Sequence, residues 1–105
     1  MGDRARLATT LHNIGAVYHS LGDGQRALRY YQQALPIRQE VGDRTGESET
    51  RYNMVMLYRS QGQLMEAVGE LRQVVELDQQ VQHPDLDSDR AMLHQVEQEW
   101  RESLQ

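Results

Sequence analysis

The sequence predicts an all-α protein: two helical hairpins stacked as an α-solenoid and closed by a fifth, capping helix. Residues 42–81 laid under residues 2–41 are identical at twelve of forty positions, where ordinary composition would give roughly two to four. The matches include Gly2-Asp3-Arg4 with Gly42-Asp43-Arg44, Asn13 with Asn53, Tyr18 with Tyr58, Ser20-x-Gly22 with Ser60-x-Gly62, and Ala27 with Ala67. Within each unit, apolar residues recur at helical spacings and a glycine divides the unit in two. A partial third match, Leu93-His94-Gln95-Val96-Glu97-x-x-Trp100 against Leu11-His12-Asn13-Ile14-Gly15-x-x-Tyr18, adds a first helix near the C-terminus with no second helix after it. The predicted organisation is one domain over 1–105, with repeats at 2–41 and 42–82 and a capping helix at 84–104.

Helix 1 is predicted from Asp3, placed as N-cap, to Leu21, with Leu7, Leu11, Ile14 and Tyr18 on one stripe. Gly22-Asp23-Gly24 ends it, since glycine reaches positive φ cheaply and Asp23 can cap the next helix. The Gly-x-Gly lacks a preceding strand and a third glycine, so it reads as a turn and not a phosphate loop. Helix 2, about Gln25 to Val41, turns Ala27, Leu28, Tyr31, Ala34, Leu35 and Ile37 inward. Its Pro36 removes one backbone hydrogen bond and predicts a bend near Gln32–Pro36 without a break. Tyr30 points to the convex side or against helix 4. Helix 3 runs from about Thr45 to Gln61, with Glu47 and Glu49 at its positive end. Helix 4 runs from about Gln63 to Gln82 on Leu64, Ala67, Val68, Leu71, Val74, Val75 and Val81, and His83-Pro84 stops it. Helix 5 starts between Pro84 and Ser88, with Leu86, Leu93, Val96, Trp100 and Leu104 as its stripe. Glu97 is expected where the two units have Gly15 and Val55, as befits a polar cap. Met54, Met65 and Met92 read as core filler and Met56 as surface.

Charge and composition exclude several classes. Net charge is −5, with nine Arg against eight acids in residues 1–75 and two Arg against eight acids in residues 76–105. A basic nucleic-acid footprint is absent. Without cysteine there is no thiol nucleophile, thiolate metal site or disulfide framework. No segment approaches the ~20 apolar residues of a membrane span, so the expectation is a soluble, cytoplasmic chain with neither nucleic acid nor membrane as partner and no cofactor.

The run Leu11-x-x-Ile14-Gly15-x-x-Tyr18 followed by Ala27-x-x-x-Tyr31 resembles the tetratricopeptide repeat pattern of large, large, small, aromatic, then small, aromatic. The second unit keeps Met54, Tyr58, Ala67 and Leu71 and departs at Arg51 and Val55. The 40-residue period and the joining phrase Glu40-Val41-Gly42-Asp43-Arg44-x-Gly46-Glu47 resemble the long arrays of animal spindle-orientation adaptors and the C-terminal arrays of bacterial signalling ATPases. By that resemblance the chain would be the terminal part of a longer array or a small free-standing homologue.

The resemblance implies a non-enzymatic scaffold whose first helices line a concave groove for a peptide or helix. Carried over position by position, the groove would show Thr9, His12, Asn13, Ala16 and His19 in unit one. In unit two it would show Glu49, Tyr52, Asn53, Met56 and Arg59, and the cap helix would add Ala91, His94, Gln95 and Gln98. Asn13 and Asn53, offering donor and acceptor together, are the sharpest candidates to hold a peptide backbone; the alternative is a solvated face in which they match only through duplication. The basic clamp by which chaperone-tail binders grip a terminal carboxylate is replaced here by His12, Ala16, Ala91 and Gln95. Tyr52, Met56, Arg59 and the histidines suit a mixed apolar and acidic segment, held more tightly as His12 and His19 protonate. The second functional expectation is a homodimer, or a fragment of a longer array, joined through the exposed face of helix 1.

Catalysis and metal binding find little support. His12 and His19 stand about 10 Å apart along a helix, too far to share an ion. Glu66 and Glu70 read as an exposed acidic face, and Ser20 and Ser60 read as turn residues without a base beside them.

Overall fold

The computed structural model describes residues 2–105, and these form five helices: α1 (Gly2–Ser20), α2 (Gly24–Glu40), α3 (Arg44–Ser60), α4 (Leu64–Val81) and α5 (Leu86–Ser103). Each helix packs on the next, α1 on α2, α2 on α3, α3 on α4 and α4 on α5. Among the described residues no helix is long and apolar enough to cross a membrane.

One turn design recurs every twenty residues. Gly22, Gly42 and Gly62 take φ of 81°, 75° and 75°, and Gln82 takes φ of 54° in the fourth such place. The residue after each donates its N–H five residues back: Asp23 to Tyr18 at 2.9 Å, Asp43 to Arg38 at 2.9 Å, Gln63 to Tyr58 at 2.8 Å and His83 to Asp78 at 2.8 Å. These bonds satisfy helix-end carbonyls that would otherwise be orphaned. Asp23 and Asp43 then cap the next helices, Oδ1 accepting from Arg26 N at 3.1 Å and from Gly46 N at 2.8 Å. Asp3, expected as an N-cap, instead lies inside the first turn of α1. Pro36 sits within α2, which continues unbroken through it.

The two hairpins solve the same packing problem with different volumes. A Cβ on Gly15 would lie 2.8 Å from the Tyr31 ring, so only glycine lets α1 settle on that tyrosine. The equivalent residues of the second hairpin, Val55 and Leu71, share a core cluster with Ala67, Val68, Val74 and Val96. A small residue against a large one is exchanged for two of middle size, which conserves core volume.

Several details differ from expectation. The buried residues of α1 are Ala8, His12 and Gly15, while Leu7, Val17 and Leu21 are 45%, 58% and 73% exposed. Helix α1 packs broadly on α2 alone, so its apolar stripe is covered on one flank only. In α5 the place of Gly15 and Val55 is taken by buried Val96, not by Glu97. Buried Asp89 and Val96 repeat the seven-residue spacing of Ala8 with Gly15 and Ser48 with Val55. Against the forty-residue period this place moves one residue on, from Gln95 to Val96, in step with the four-residue connection Gln82–Asp85 after turns of three. Glu97 instead pairs with Arg72 of α4 at 2.9 Å. Leu104 follows α5 and is exposed, as is Met65. Tyr30 neither points away nor meets α4: it stacks on Tyr18 of α1 with ring centroids 5.6 Å apart.

Candidate peptide-binding face

The first helix of each hairpin and α5 carry the residues that the groove reading selects, and polar side chains join these helices. Arg38 of α2 is buried without a carboxylate partner. It donates to Gly46 O and Thr50 Oγ1 of α3, both at 2.8 Å, and lies 3.4 Å from His12 Nδ1. Thr50 Oγ1 is 3.1 Å from the same Nδ1. The two Nη1 hydrogens go to Gly46 O and Thr50 Oγ1, so Arg38 does not fix the His12 tautomer. The Asn53 amide nitrogen donates to the Tyr31 hydroxyl at 3.4 Å and lies 3.3 Å from His12 Nε2. Burial and the Arg38 charge hold the His12 pKa below the ordinary imidazole value, against the pull of Glu49. His12 thus resists the protonation that a tighter acidic grip would require.

The expected groove residues separate accordingly. His12 and Asn53 meet in this network and join α1, α2 and α3. Asn13, the repeat partner of Asn53, is exposed, as are Thr9 and Glu49. Ala16, His19, Tyr52 and Met56 are half-buried, Tyr52 and Met56 resting against the core cluster of the second hairpin. Arg59 is held by Glu99 of α5, while Ala91, His94, Gln95 and Gln98 lie on α5 and are all exposed. The departure at Arg51 has a clear basis, because its guanidinium bridges Glu47 at 3.0 Å and Glu70 at 2.5 Å. That pairing also takes Glu70 out of any acid–base pair with Glu66.

Between α3 and α5, over α4, lies a cleft of about 390 Å³. Its walls carry Glu49, Tyr52, Asp78, His83, Asp85 and Asp89, with no arginine among the lining residues. Asp78 is 1% exposed and Asp89 8%. Asp78 Oδ1 accepts from Ser48 Oγ at 3.1 Å, whereas Oδ2 is buried without a partner. Burial, a hydrogen bond that protonated Asp89 can give Asp78, and the charges of Asp78 and Asp85 push the Asp89 pKa up to about 7. Among the described residues no three potential ligands converge as a metal ion would need.

Arg38, Thr50, Asp78 and Asp89 escape sequence reasoning because each occupies a place that the apolar pattern assigns to the core. A signal was available: stepping four residues on from Ala34 or from Val74 along the inward stripe lands on Arg38 or Asp78.

A family model described as tetratricopeptide repeat matches residues 6–80 of the chain. No curated protein matches it.

Proposed function

The chain belongs to the tetratricopeptide repeat family, whose members generally mediate protein–protein interaction, and from that premise we propose a non-enzymatic module that holds a peptide or helical segment of a partner protein along α1, α3 and α5. The observation that carries this reading is the open cleft between α3 and α5, where half-buried Tyr52 offers an apolar wall beside exposed polar groups. Such a mixture suits a bound segment that is anchored by one side chain and oriented by hydrogen bonds. Thr9, Asn13, Ala16, Glu49, Tyr52 and Met56 are the contact residues, with His19, Gln95 and Gln98 at the margins. His12 and Asn53 fix the spacing of α1 and α3, and Arg59 fixes that of α3 and α5. The reading requires no cofactor, nucleic acid or membrane, and assigns the module to the cytoplasm.

The test is capture of a partner on the immobilised chain, then titration of its bound segment into the ¹⁵N-labelled chain. Amide shifts should concentrate on Thr9, Asn13, Glu49, Met56 and Gln95, and Asn13→Ala/Met56→Ala should weaken binding. Shifts confined to α2 and α4 would move the site to the outer face.

A second reading is favoured by one observation, the exposed Leu7 and Val17 of α1 with Leu21 just beyond it. A neighbouring hairpin or a second copy of this chain would cover them. Light scattering across a dilution series decides the homodimer, since a monomer at micromolar concentration excludes it.

A further inference from the structure

The cleft between α3 and α5 contains an electrostatic deficit that the chain does not fill. With Asp78 and Asp89 both ionised, neither can donate to the other, and Asp78 Oδ2 is left buried with no hydrogen bond. Only one of its oxygens has a partner, the Ser48 hydroxyl. Buried carboxylates are stable only when paired with a donor or a cation. Glu49 and Asp85 add negative charge to the walls, and His83 is the sole basic group on them. The positive ends of α3 and α5 lie close by, but Glu47, Asp85 and Asp87 stand at those ends and offset them.

We propose that this cleft receives a cationic side chain, guanidinium or ammonium, presented by the bound protein segment, with Asp78 and Asp89 as its counter-ions and the Tyr52 ring along its flank. This rests on the reading of α1, α3 and α5 as the binding face and supplies its missing specificity. A guanidinium matches the geometry well, since it can donate to two carboxylates at once and lie against an aromatic face. The cleft of about 390 Å³ has room for such a group with its alkyl stem. An organic cation fits better than a metal ion because no three ligands converge among the described residues.

The site has a built-in competitor. A proton on Asp89, held up to about pH 7, gives the carboxylate pair a donor, so the empty cleft carries a proton where the occupied cleft carries a cation. The groups facing Asp89 are Asp78 from α4, Glu49 and Tyr52 from α3, and His83 and Asp85 from the connection before α5. Cation binding should release that proton, and affinity should fall by about ten-fold from pH 8 to pH 6 as the ionised fraction of Asp89 falls.

The experiment titrates the ¹⁵N-labelled chain with N-acetyl-arginine amide and, separately, with the citrulline analogue, which is neutral and of the same shape. The arginine probe should shift the amides of Ser48, Tyr52 and Asp89 saturably, at least ten-fold more tightly than citrulline. Binding should weaken at pH 6 and disappear in Asp78→Asn/Asp89→Asn. Equal binding of the two probes, or arginine shifts outside the cleft, would overturn the proposal, and this comparison on the parent chain stands even where the double variant fails to fold. Failure of the binding face itself shows differently, as partner-induced shifts on α2 and α4, which neither small probe reports.

Discussion

Arg59 and Glu99 clasp α3 to α5 through two parallel contacts, Nε to Oε1 at 3.1 Å and Nη2 to Oε2 at 2.5 Å. The hydrogen bonds from Arg59 hold the Glu99 carboxyl below its ordinary pKa. A depressed acid contributes stability above its unfolded value, and that stability is lost as pH falls through the folded value. With both side chains about one-third exposed, solvent screening keeps the pair small. Glu99→Gln should cost about 0.5–1 kcal/mol at pH 7. Urea unfolding at pH 7 and pH 3 measures it: the difference from the parent should shrink at the lower pH.

Asp89 acts with the opposite sign. In the fold it keeps its proton to about pH 7, whereas the unfolded chain releases it near pH 4. The folded state therefore binds more protons between these values, and this residue makes stability fall as pH rises from about 4 to about 7, then stay level. Asp89→Asn removes the slope. Thermal unfolding followed by circular dichroism should show the variant more stable than the parent at pH 8, by about 1–3 kcal/mol, with little difference near pH 4.

Gln82 adopts the left-handed conformation that glycine takes at positions 22, 42 and 62. A residue with a side chain is strained there by about 1 kcal/mol. Gln82→Gly should relieve that cost despite adding entropy to the unfolded chain, for a net gain of about 0.5 kcal/mol. A rise in the urea midpoint at unchanged slope is the expected result.

Gly15 sits against Tyr31 with no room for a methyl group. Alanine favours helix by about 1 kcal/mol, but overpacking typically costs about 1–3 kcal/mol, so Gly15→Ala should destabilise. Adding Tyr31→Leu, which copies the residue at the matching place of the second hairpin, should recover part of the loss. A double-mutant cycle by chemical unfolding measures the coupling.

The all-α fold and its turns were legible because their signals are local. Each glycine at a helix end imposes its own geometry, and Ala27, Tyr31, Ala67 and Leu71 mark their buried faces by spacing alone. The register of α5 was less legible: the match of Leu93–Trp100 to Leu11–Tyr18 set Glu97 against Gly15, whereas the buried residue in that place is Val96, one position earlier. The stripe of α1 misled for another reason, since periodicity shows which residues are apolar and not how much neighbour exists to cover them. At the binding face, the repeat marked Asn13 and Asn53 as equals, yet Asn53 meets His12 and Tyr31 while Asn13 is exposed. Equal places in the repeat have unequal surroundings, and the Asp78–Asp89 pair arises from two segments whose meeting no local pattern announces.

Arg38 and Asp78 stand forty residues apart in the same place of successive hairpins, and the buried side-chain atoms without partners among the described residues are Arg38 Nε and Asp78 Oδ2. The first hairpin offers its successor a guanidinium, which the carbonyl of Gly46 and the hydroxyl of Thr50 accept. The second offers a carboxylate, which a carbonyl in the same position would repel. The hairpins therefore cannot be permuted or duplicated freely, although their backbones repeat. Stacking order is written in the sign of one buried charge, a grammar in which each unit dictates its successor.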